Sequence, residues 1–167
     1  YEVRVTEAGH LGRRGGVDLM VAMNPQTWDK DVAEIESGGF LFYDSTKPMP
    51  PSKFRDDITV VGVPLTAMCN EAYELPRERQ LFKNIIYVGA LAALLGMDVD
   101  AIEALLAEDF AGKDRLIKAN VEALRMGVGY VRKYLAALPL QVRQADAVGD
   151  RIYVEGNQAA ALGAVYG

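Results

Sequence analysis

Polar residues that could bind a polar ligand follow three short apolar runs of this sequence. Asn24 follows the first run, and Thr66 follows the third. Asp44, Ser45 and Lys47 follow the second. Hydroxyl, amide and ammonium donors of this kind bind phosphate or carboxylate groups. The sequence therefore predicts a polar binding site assembled from the ends of three apolar segments.

The apolar runs themselves, at residues 18–23, 40–43 and 58–63, are typical of strands buried on both faces. Such strands occur in parallel sheets covered by helices. Parallel strands place their carboxyl ends on one edge, where open α/β sheets bind ligands. We therefore predict an α/β fold, with a Rossmann-like, mostly parallel sheet flanked by helices and a helical C-terminal part.

A helix is predicted after the first strand, over residues 25–36. Asn24 is a good N-cap, and a proline suits the first helical position. The backbone at Gln26 and Thr27 would then face an anion at the helix N-terminus. Capping without a ligand is the alternative for Asn24, and a turn that leaves the strand is the alternative for residues 44–47.

Size and composition restrict the function further. The 167 residues fit one domain, or one domain and part of another, and half of them are hydrophobic. A net charge of −5 argues against general nucleic-acid binding, and no apolar run is long enough to span a membrane. Cys69 and His10 are the only residues of their types, which excludes an intrachain disulfide and chemistry that needs two histidines, and argues against a zinc site. We expect a cytoplasmic protein in which Cys69 is a buried, unreactive thiol.

The segments around the three strands are also predicted. Residues 1–6 alternate like a strand, and their abrupt start suggests a fragment. The proline-rich residues 47–53 read as an irregular loop over the ligand edge. A short helix is expected over residues 66–73 and a strongly apolar one over 79–95, ended by Gly96.

Two more helices follow in the C-terminal part. Asp98 or Asp100 is expected to cap the first, with Asp100 and Glu103 as a capping box. The second runs from 114 to 137 and ends before Pro139. Its core face is predicted to consist of Ile117, Val121, Leu124, Val128, Val131 and Leu135, and the inward residues of the first helix to be Ile102, Leu105 and Leu106. Two glycines in the second helix, Gly127 and Gly129, are costly unless something packs closely there.

The last part of the chain is interpreted as a linker over 139–150, a strand over 151–154 and a helix of small residues. The linker would separate a first domain, residues 1–138, from the beginning of a second domain at 151–167.

Several segments resemble a known enzyme family. DLMVAMN at 18–24, GGFLFYDS at 38–45, NIIYVGALAALLG at 84–96 and NVEALRMG at 120–127 are similar to the gamma domain of 2-oxoacid:ferredoxin oxidoreductases. EGNQAAALGA at 155–164 resembles the opening of the thiamine-diphosphate-binding alpha domain of the same enzymes. This order resembles the fused alpha subunit of the 2-oxoglutarate type.

The resemblance implies an oxidative decarboxylation. A 2-oxoacid, 2-oxoglutarate in this type, reacts with coenzyme A to give acyl-CoA, carbon dioxide and reduced ferredoxin. Thiamine diphosphate, Mg²⁺ and iron–sulfur clusters serve the complete enzyme. The thiamine diphosphate and the clusters belong to a partner beta subunit, so that the enzyme is a hetero-oligomer and no cofactor is expected on this chain alone.

In this family the gamma domain is associated with the coenzyme A side of the active site. The resemblance therefore implies that coenzyme A contacts come from the polar residues at the strand ends, which are Asn24, Gln26, Thr27, Asp44, Ser45 and Lys47. The glycine-rich first strand that the family has before this segment is absent here, and the carboxylate that activates the thiamine ring is expected further downstream. A fragment of an NAD(P)-dependent dehydrogenase and a non-catalytic assembly domain remain alternatives.

Overall fold

The computed structural model describes residues 2–7, 12, 14–145 and 154–166. These residues form three strands and six α-helices. In chain order the elements are β1 (Val17–Ala22), α1 (Trp28–Ala33), β2 (Ile35–Asp44), β3 (Thr59–Val63), α2 (Leu65–Ala72), α3 (Pro76–Leu94), α4 (Val99–Asp109), α5 (Asp114–Tyr134) and α6 (Gly156–Tyr166), with a 3-10 helix (Pro51–Lys53) before β3. The predicted α/β class is confirmed.

The sheet is parallel throughout, in the order β1-β2-β3. Ala22 at the end of β1 pairs with Tyr43 of β2, and Asp44 pairs with Val63 at the end of β3. All three strands therefore end at one edge, which we call the carboxyl edge. The predicted co-orientation of the three apolar runs is confirmed.

The two faces of the sheet are covered differently. Alternate residues of β2 separate the faces, since Phe42 packs with Leu65 of α2 and Ile86 of α3, whereas Leu41 packs with Trp28 of α1. Helices α2, α3 and α5 cover the first, which we call the helical face. Helix α1 and the connection at 45–58 cover the second, which we call the loop face.

On the helical face, α3 and α5 approach each other at two glycines. A Cβ atom at Gly127 would lie under 3.0 Å from the Ile86 carbonyl oxygen, and one at Gly89 would lie equally close to the Leu124 carbonyl oxygen. The predicted close packing is therefore confirmed for Gly127, whereas Gly129 has nothing within 4 Å of its Cβ position. Of the predicted core face of α5, Leu124, Val128 and Val131 are buried and the other three residues are half-buried.

The predicted helix over 25–36 is wrong in extent. Helix α1 contains only six residues, and Thr27 rather than Asn24 precedes it. The helix ends there because the next residues join the sheet. The Val17 amide donates to the Glu34 carbonyl oxygen (3.0 Å), and Val17 pairs with Ile35 of β2. The glycine at 38 has φ +79° inside β2, at an irregular part of that strand, and so does not end the helix.

Two further expectations near the start of the chain are corrected. Residues 2–6 do not form a strand, and Val3 and Val5 are exposed, because these residues pair with no strand among those described. The proline-rich loop contains a 3-10 turn (Pro51–Lys53). Its last residue is bound to α1 on the loop face, where the Trp28 indole N–H donates to the Lys53 carbonyl oxygen (3.0 Å).

The helices that follow agree with the prediction apart from their ends. Gly96 has φ +64° after α3, as expected for a stop signal. Asp98 caps α4 by accepting from the Asp100 and Ala101 amides. The capping box is wrong, because the Glu103 carboxylate accepts from Arg125 of α5 instead (2.7 Å). Ile102 and Leu106 are half-buried, but Leu105 is 60% exposed and does not face the core.

The chain leaves α5 before the predicted end. Helix α5 stops at Tyr134, since Leu135 is extended, and the Leu138 amide donates to the Leu94 carbonyl oxygen (2.8 Å). The predicted small-residue helix is confirmed as α6, all of whose residues are exposed. The predicted strand falls mostly outside the described residues, and Val154 is not in a strand. Within the described ranges, no helix has both the length and the apolar character that a membrane crossing requires.

Candidate functional site

The carboxyl edge brings the predicted polar residues to one side of the sheet. Asn24 and Ser45 each lie two residues beyond the paired Ala22 and Tyr43, so both leave the sheet in the same direction. Thr66 follows β3 at the same edge, because Val63 pairs with Asp44. The expectation that the polar residues after the three strands lie at one edge of the sheet is therefore met. These residues differ in how many of their polar groups are already hydrogen-bonded within the chain.

Asp44 is the most highly connected of the predicted residues. Its carboxylate accepts from the Thr46 backbone N–H (3.1 Å) and hydroxyl (2.6 Å). It also accepts from the Thr66 backbone N–H (3.2 Å) and from the Thr66 hydroxyl. The Thr46 hydroxyl oxygen in turn accepts from the Ala67 N–H (2.9 Å). These bonds tie the end of β2 to the first turn of α2, and we call Asp44, Thr46 and Thr66 the strand-end clamp.

The strand-end clamp also fixes the charge state of Asp44. Partial burial alone would raise the pKa of this carboxyl group, because a buried charge loses hydration. The hydrogen bonds from Thr46 and Thr66 outweigh the burial and hold the pKa below its ordinary value. Asp44 is therefore a carboxylate at neutral pH, with donors from its own chain on both oxygens.

Asn24 closes an exposed turn before α1, and Thr27 occupies the N-cap position without a side-chain cap bond. The Asn24 Oδ1 atom accepts from the Gln26 N–H (3.0 Å), and the Thr27 N–H donates to the Asn24 carbonyl oxygen (3.2 Å). The Thr27 hydroxyl donates to Asp31 (2.7 Å) and makes no cap contact. The predicted N-cap role of Asn24 is wrong, because its side chain closes an Asx turn instead. Asn24 and Gln26 are both exposed at the carboxyl edge, so their side-chain amides are accessible to solvent.

Ser45 and Lys47 retain the groups best suited to a ligand. The Ser45 amide donates to the Val63 carbonyl oxygen (3.0 Å), which fixes the backbone, while its hydroxyl forms no side-chain hydrogen bond within the described part of the chain. Lys47 is exposed, and its ammonium group pairs with no carboxylate among the described residues. Gly62 leaves the space that Ser45 occupies, because a Cβ atom at 62 would lie 2.8 Å from the Ser45 Cβ.

Sequence reasoning understated one part of this site. The sequence places Thr66 among the polar residues at the strand ends but not among the coenzyme A contacts, and it indicates no role for Thr46. Both hydroxyls are committed to Asp44, from positions 2 and 22 residues away in the chain. A threonine two residues after an aspartate is a signal for a local turn, but no local signal indicates the partner 22 residues away.

Other chemistry is less favoured by the described residues. Cys69 is buried, and that burial raises the pKa of its thiol, as expected for an unreactive cysteine. Among the described residues, no group of three His, Cys, Asp or Glu side chains could hold a metal ion. Two open grooves of about 460 and 550 Å³ lie away from the candidate residues, one lined by α2 and α5 and the other beside the amino ends of β2 and β3.

Comparison with known protein families gives a match over most of the chain. Residues 1–130 match the family described as pyruvate ferredoxin/flavodoxin oxidoreductase. The sequence is 26% identical over 147 residues to the 2-oxoglutarate oxidoreductase subunit KorA of Mycobacterium tuberculosis, which covers 78% of this chain and 22% of the relative. It is 31% identical over 205 residues to the alpha subunit of 2-oxoacid:ferredoxin oxidoreductase 2 of Aeropyrum pernix, covering all of this chain and 32% of the relative.

The fold is also similar to solved structures. A 2-oxoglutarate:ferredoxin oxidoreductase from Magnetococcus marinus matches with a TM-score of 0.75 at 22% identity, covering 90% of this chain and 26% of that one. A keto/oxoacid ferredoxin oxidoreductase gamma subunit from Geobacter sulfurreducens matches with a TM-score of 0.52 at 23% identity, covering 70% of this chain and 64% of that one. The chain thus spans between a fifth and a third of the length of the curated relatives described above.

Proposed function

Because this chain belongs to the pyruvate ferredoxin/flavodoxin oxidoreductase family, we propose that it forms part of a 2-oxoacid:ferredoxin oxidoreductase. The complete enzyme oxidatively decarboxylates a 2-oxoacid with coenzyme A to acyl-CoA, carbon dioxide and reduced ferredoxin. The proposed substrate is 2-oxoglutarate, which the names of the Mycobacterium and Magnetococcus proteins favour. The Aeropyrum relative that aligns with the whole chain is a 2-oxoacid:ferredoxin oxidoreductase alpha subunit, which supports the assignment to this class of enzyme.

The proposed role of this domain is to form part of the coenzyme A side of the active site. The observation that carries this role is the carboxyl edge, where parallel strands bring Asn24, Ser45 and Lys47 to one side. Coenzyme A carries anionic phosphates, which an ammonium group attracts and which amide and hydroxyl donors can bind. The proposed contacts are Lys47, Ser45 and the side-chain amides of Asn24 and Gln26. Asp44 and Thr27 already bind groups of their own chain.

The redox chemistry is assigned to other parts of the enzyme. Cys69 is the only cysteine and is buried, whereas an iron–sulfur cluster needs several thiolate ligands. This chain's residues therefore do not fit an iron–sulfur cluster. We propose that a beta subunit carries the cluster and the thiamine diphosphate with its Mg²⁺, that ferredoxin accepts the electrons, and that the hetero-oligomer works in the cytoplasm.

The proposed domain organisation follows the same assignment. Residues 1–138 form the gamma domain, 139–150 a linker, and 151–167 the beginning of the alpha domain. The exposed apolar residues of α6 (Gly156–Tyr166) support the last part, since an apolar helix is normally covered by further structure.

The proposal is tested by steady-state kinetics on the complete enzyme with Lys47→Ala. Loss of an exposed cation from a phosphate site should raise the KM for coenzyme A by roughly threefold to tenfold, because charge-assisted bonds to phosphate are stronger than neutral ones. Lys53→Ala is the matched control, because Lys53 pairs with Asp29 on the loop face (2.6 Å). A KM for coenzyme A that is unchanged in both variants would argue against this coenzyme A site.

Separate titrations of this chain with coenzyme A and with NAD distinguish the proposed function from the dehydrogenase and assembly-domain alternatives. Binding of coenzyme A alone supports the proposal, whereas binding of NAD alone would indicate a dehydrogenase. If neither ligand binds, the chain is better described as an assembly domain.

A further inference from the structure

We propose that Asp44 is a positioning residue, whose carboxylate holds the residues at 45–47 in their binding geometry without itself touching the ligand. This inference rests on the proposed function, because it concerns the same coenzyme A site. It separates the predicted site residues into those that contact the ligand and one that orients them.

The Asp44 carboxylate is already saturated with donors from its own chain. A carboxylate has about four acceptor positions. Thr46 and Thr66 supply four donors, two backbone N–H groups and two hydroxyls. A ligand donor could reach Asp44 only by displacing one of these bonds. The phosphates of coenzyme A are themselves anions, so their direct approach to this carboxylate is also disfavoured.

The strand-end clamp acts on the neighbouring residues through the backbone. Ser45 lies between the two clamp residues Asp44 and Thr46, and Lys47 follows Thr46 directly. The Ser45 backbone N–H donates to the Val63 carbonyl oxygen (3.0 Å), so this short segment is also held to the end of β3. Release of Asp44 would free the backbone on either side of Ser45 and at Lys47.

The strand-end clamp also connects elements that lie far apart in the sequence. Through Thr66, and through the Ala67 N–H that donates to the Thr46 hydroxyl (2.9 Å), the clamp fastens the end of β2 to the first turn of α2. These contacts join residues 21 and 22 positions apart. The segment at 45–47 is therefore held in place by α2 on the helical face, although the chain continues from it onto the loop face.

The test compares Thr66→Val with Thr66→Ser in the complete enzyme. Valine has nearly the shape of threonine but lacks the hydroxyl, whereas serine retains the donor to Asp44. Loss of this bond to a charged group should raise the KM for coenzyme A by roughly fivefold to tenfold. We expect an unchanged KM for the 2-oxoacid and, with serine, recovery of nearly the original KM for coenzyme A. A purely structural defect would instead lower the amount of active enzyme and hence kcat, without this selective change in KM.

A double-mutant cycle with Asp44→Asn completes the test. If Asp44 acts through Thr66, the effects of Asp44→Asn and Thr66→Val on the KM for coenzyme A will be less than additive. Full additivity of the two, or an unchanged KM in Thr66→Val, would overturn the positioning role. If Asp44→Asn does not fold, the valine and serine pair decides the question alone.

Failure of this inference and failure of the proposed function give different results. If Lys47→Ala raises the KM for coenzyme A but Thr66→Val does not, the coenzyme A site stands and the positioning role is wrong. If neither variant affects that KM, the proposed site itself is wrong.

Discussion

The two faces of the sheet are stabilised in different ways. On the helical face, α3 and α5 lie in backbone contact at Gly89 and Gly127. On the loop face, a six-residue helix and the connection at 45–58 are held by side chains. There the rings of Trp28, Tyr43 and Phe54 meet edge to face with centroids 5.6 to 5.8 Å apart.

Hydrogen bonds continue the contrast. On the loop face, Trp28 donates to the carbonyl group of Lys53. Arg55 donates to the carbonyl groups of Val32 in α1 (3.0 Å) and Ile35 at the start of β2 (2.8 Å). These partners lie 20 to 25 residues apart. The packing of the helical face depends on small and apolar residues repeated along α3 and α5. The structure of the loop face depends on individual hydrogen bonds between residues that are distant in the sequence. We therefore expect substitutions on the helical face to act on the whole fold and those on the loop face to act locally.

The largest expected effect is that of Gly127→Ala. Because the added Cβ would meet the Ile86 carbonyl group, α3 and α5 must separate, which should cost about 3 kcal/mol of unfolding free energy. Gly129→Ala is the matched control on the same helix, with nothing within 4 Å of the new methyl group, and should stabilise by about 0.5 to 1 kcal/mol. Urea unfolding of the two variants measures the difference. Equal effects would contradict the backbone contact.

A smaller and more local effect is expected from Trp28→Phe. The change keeps an aromatic ring but removes the indole N–H that donates to Lys53, so the unfolding free energy should fall by about 1.5 kcal/mol. Hydrogen exchange should accelerate mainly in residues 47–58. Asp29→Asn, which breaks only the largely exposed ion pair to Lys53, should cost well under 1 kcal/mol and provides the comparison. Uniformly faster exchange on both faces would show that the loop face is not a separate local unit.

The strand-end clamp joins the two faces and predicts a dependence on pH. The pKa of Asp44 is lowered in the folded state, so its contribution to stability is fully present above the unfolded pKa of about 3.9. That contribution is lost as the pH falls through the lower folded pKa. Asp44→Asn should therefore destabilise the protein by about 1 kcal/mol at pH 7, and the difference from the original protein should shrink on acidification. Denaturant unfolding at several pH values measures this, and a difference that grew toward low pH would contradict it.

The smallest expected effect is that of Asn24→Ala. The exposed Asx turn that Asn24 closes should contribute about 0.5 kcal/mol, and α1 should be unaffected. As an N-cap the same residue would contribute about 1 kcal/mol and its loss would shorten the helix. Circular dichroism and urea unfolding distinguish the two roles.

Prediction from the sequence was most successful where the signal was local. The parallel sheet followed from short apolar runs, α3 from a long apolar segment ended by Gly96, and α5 from apolar residues recurring at helical spacing. The start of α1 was predicted wrongly because Asn24 is equally suited to an N-cap and to an Asx turn. The local sequence does not distinguish these roles, and the pairing of Val17 with Ile35 decided where the helix had to end.

The sequence alone determined the fold class, the shared carboxyl edge and the polar residues placed there, because burial on both faces leaves a recognisable run of apolar residues. Only the tertiary structure decided how those residues are used. Asp44 binds Thr66 from 22 positions away, whereas Lys47 forms no ion pair within the described ranges. A side chain's availability depends on which donors the folded chain brings to it, and these donors come from distant segments.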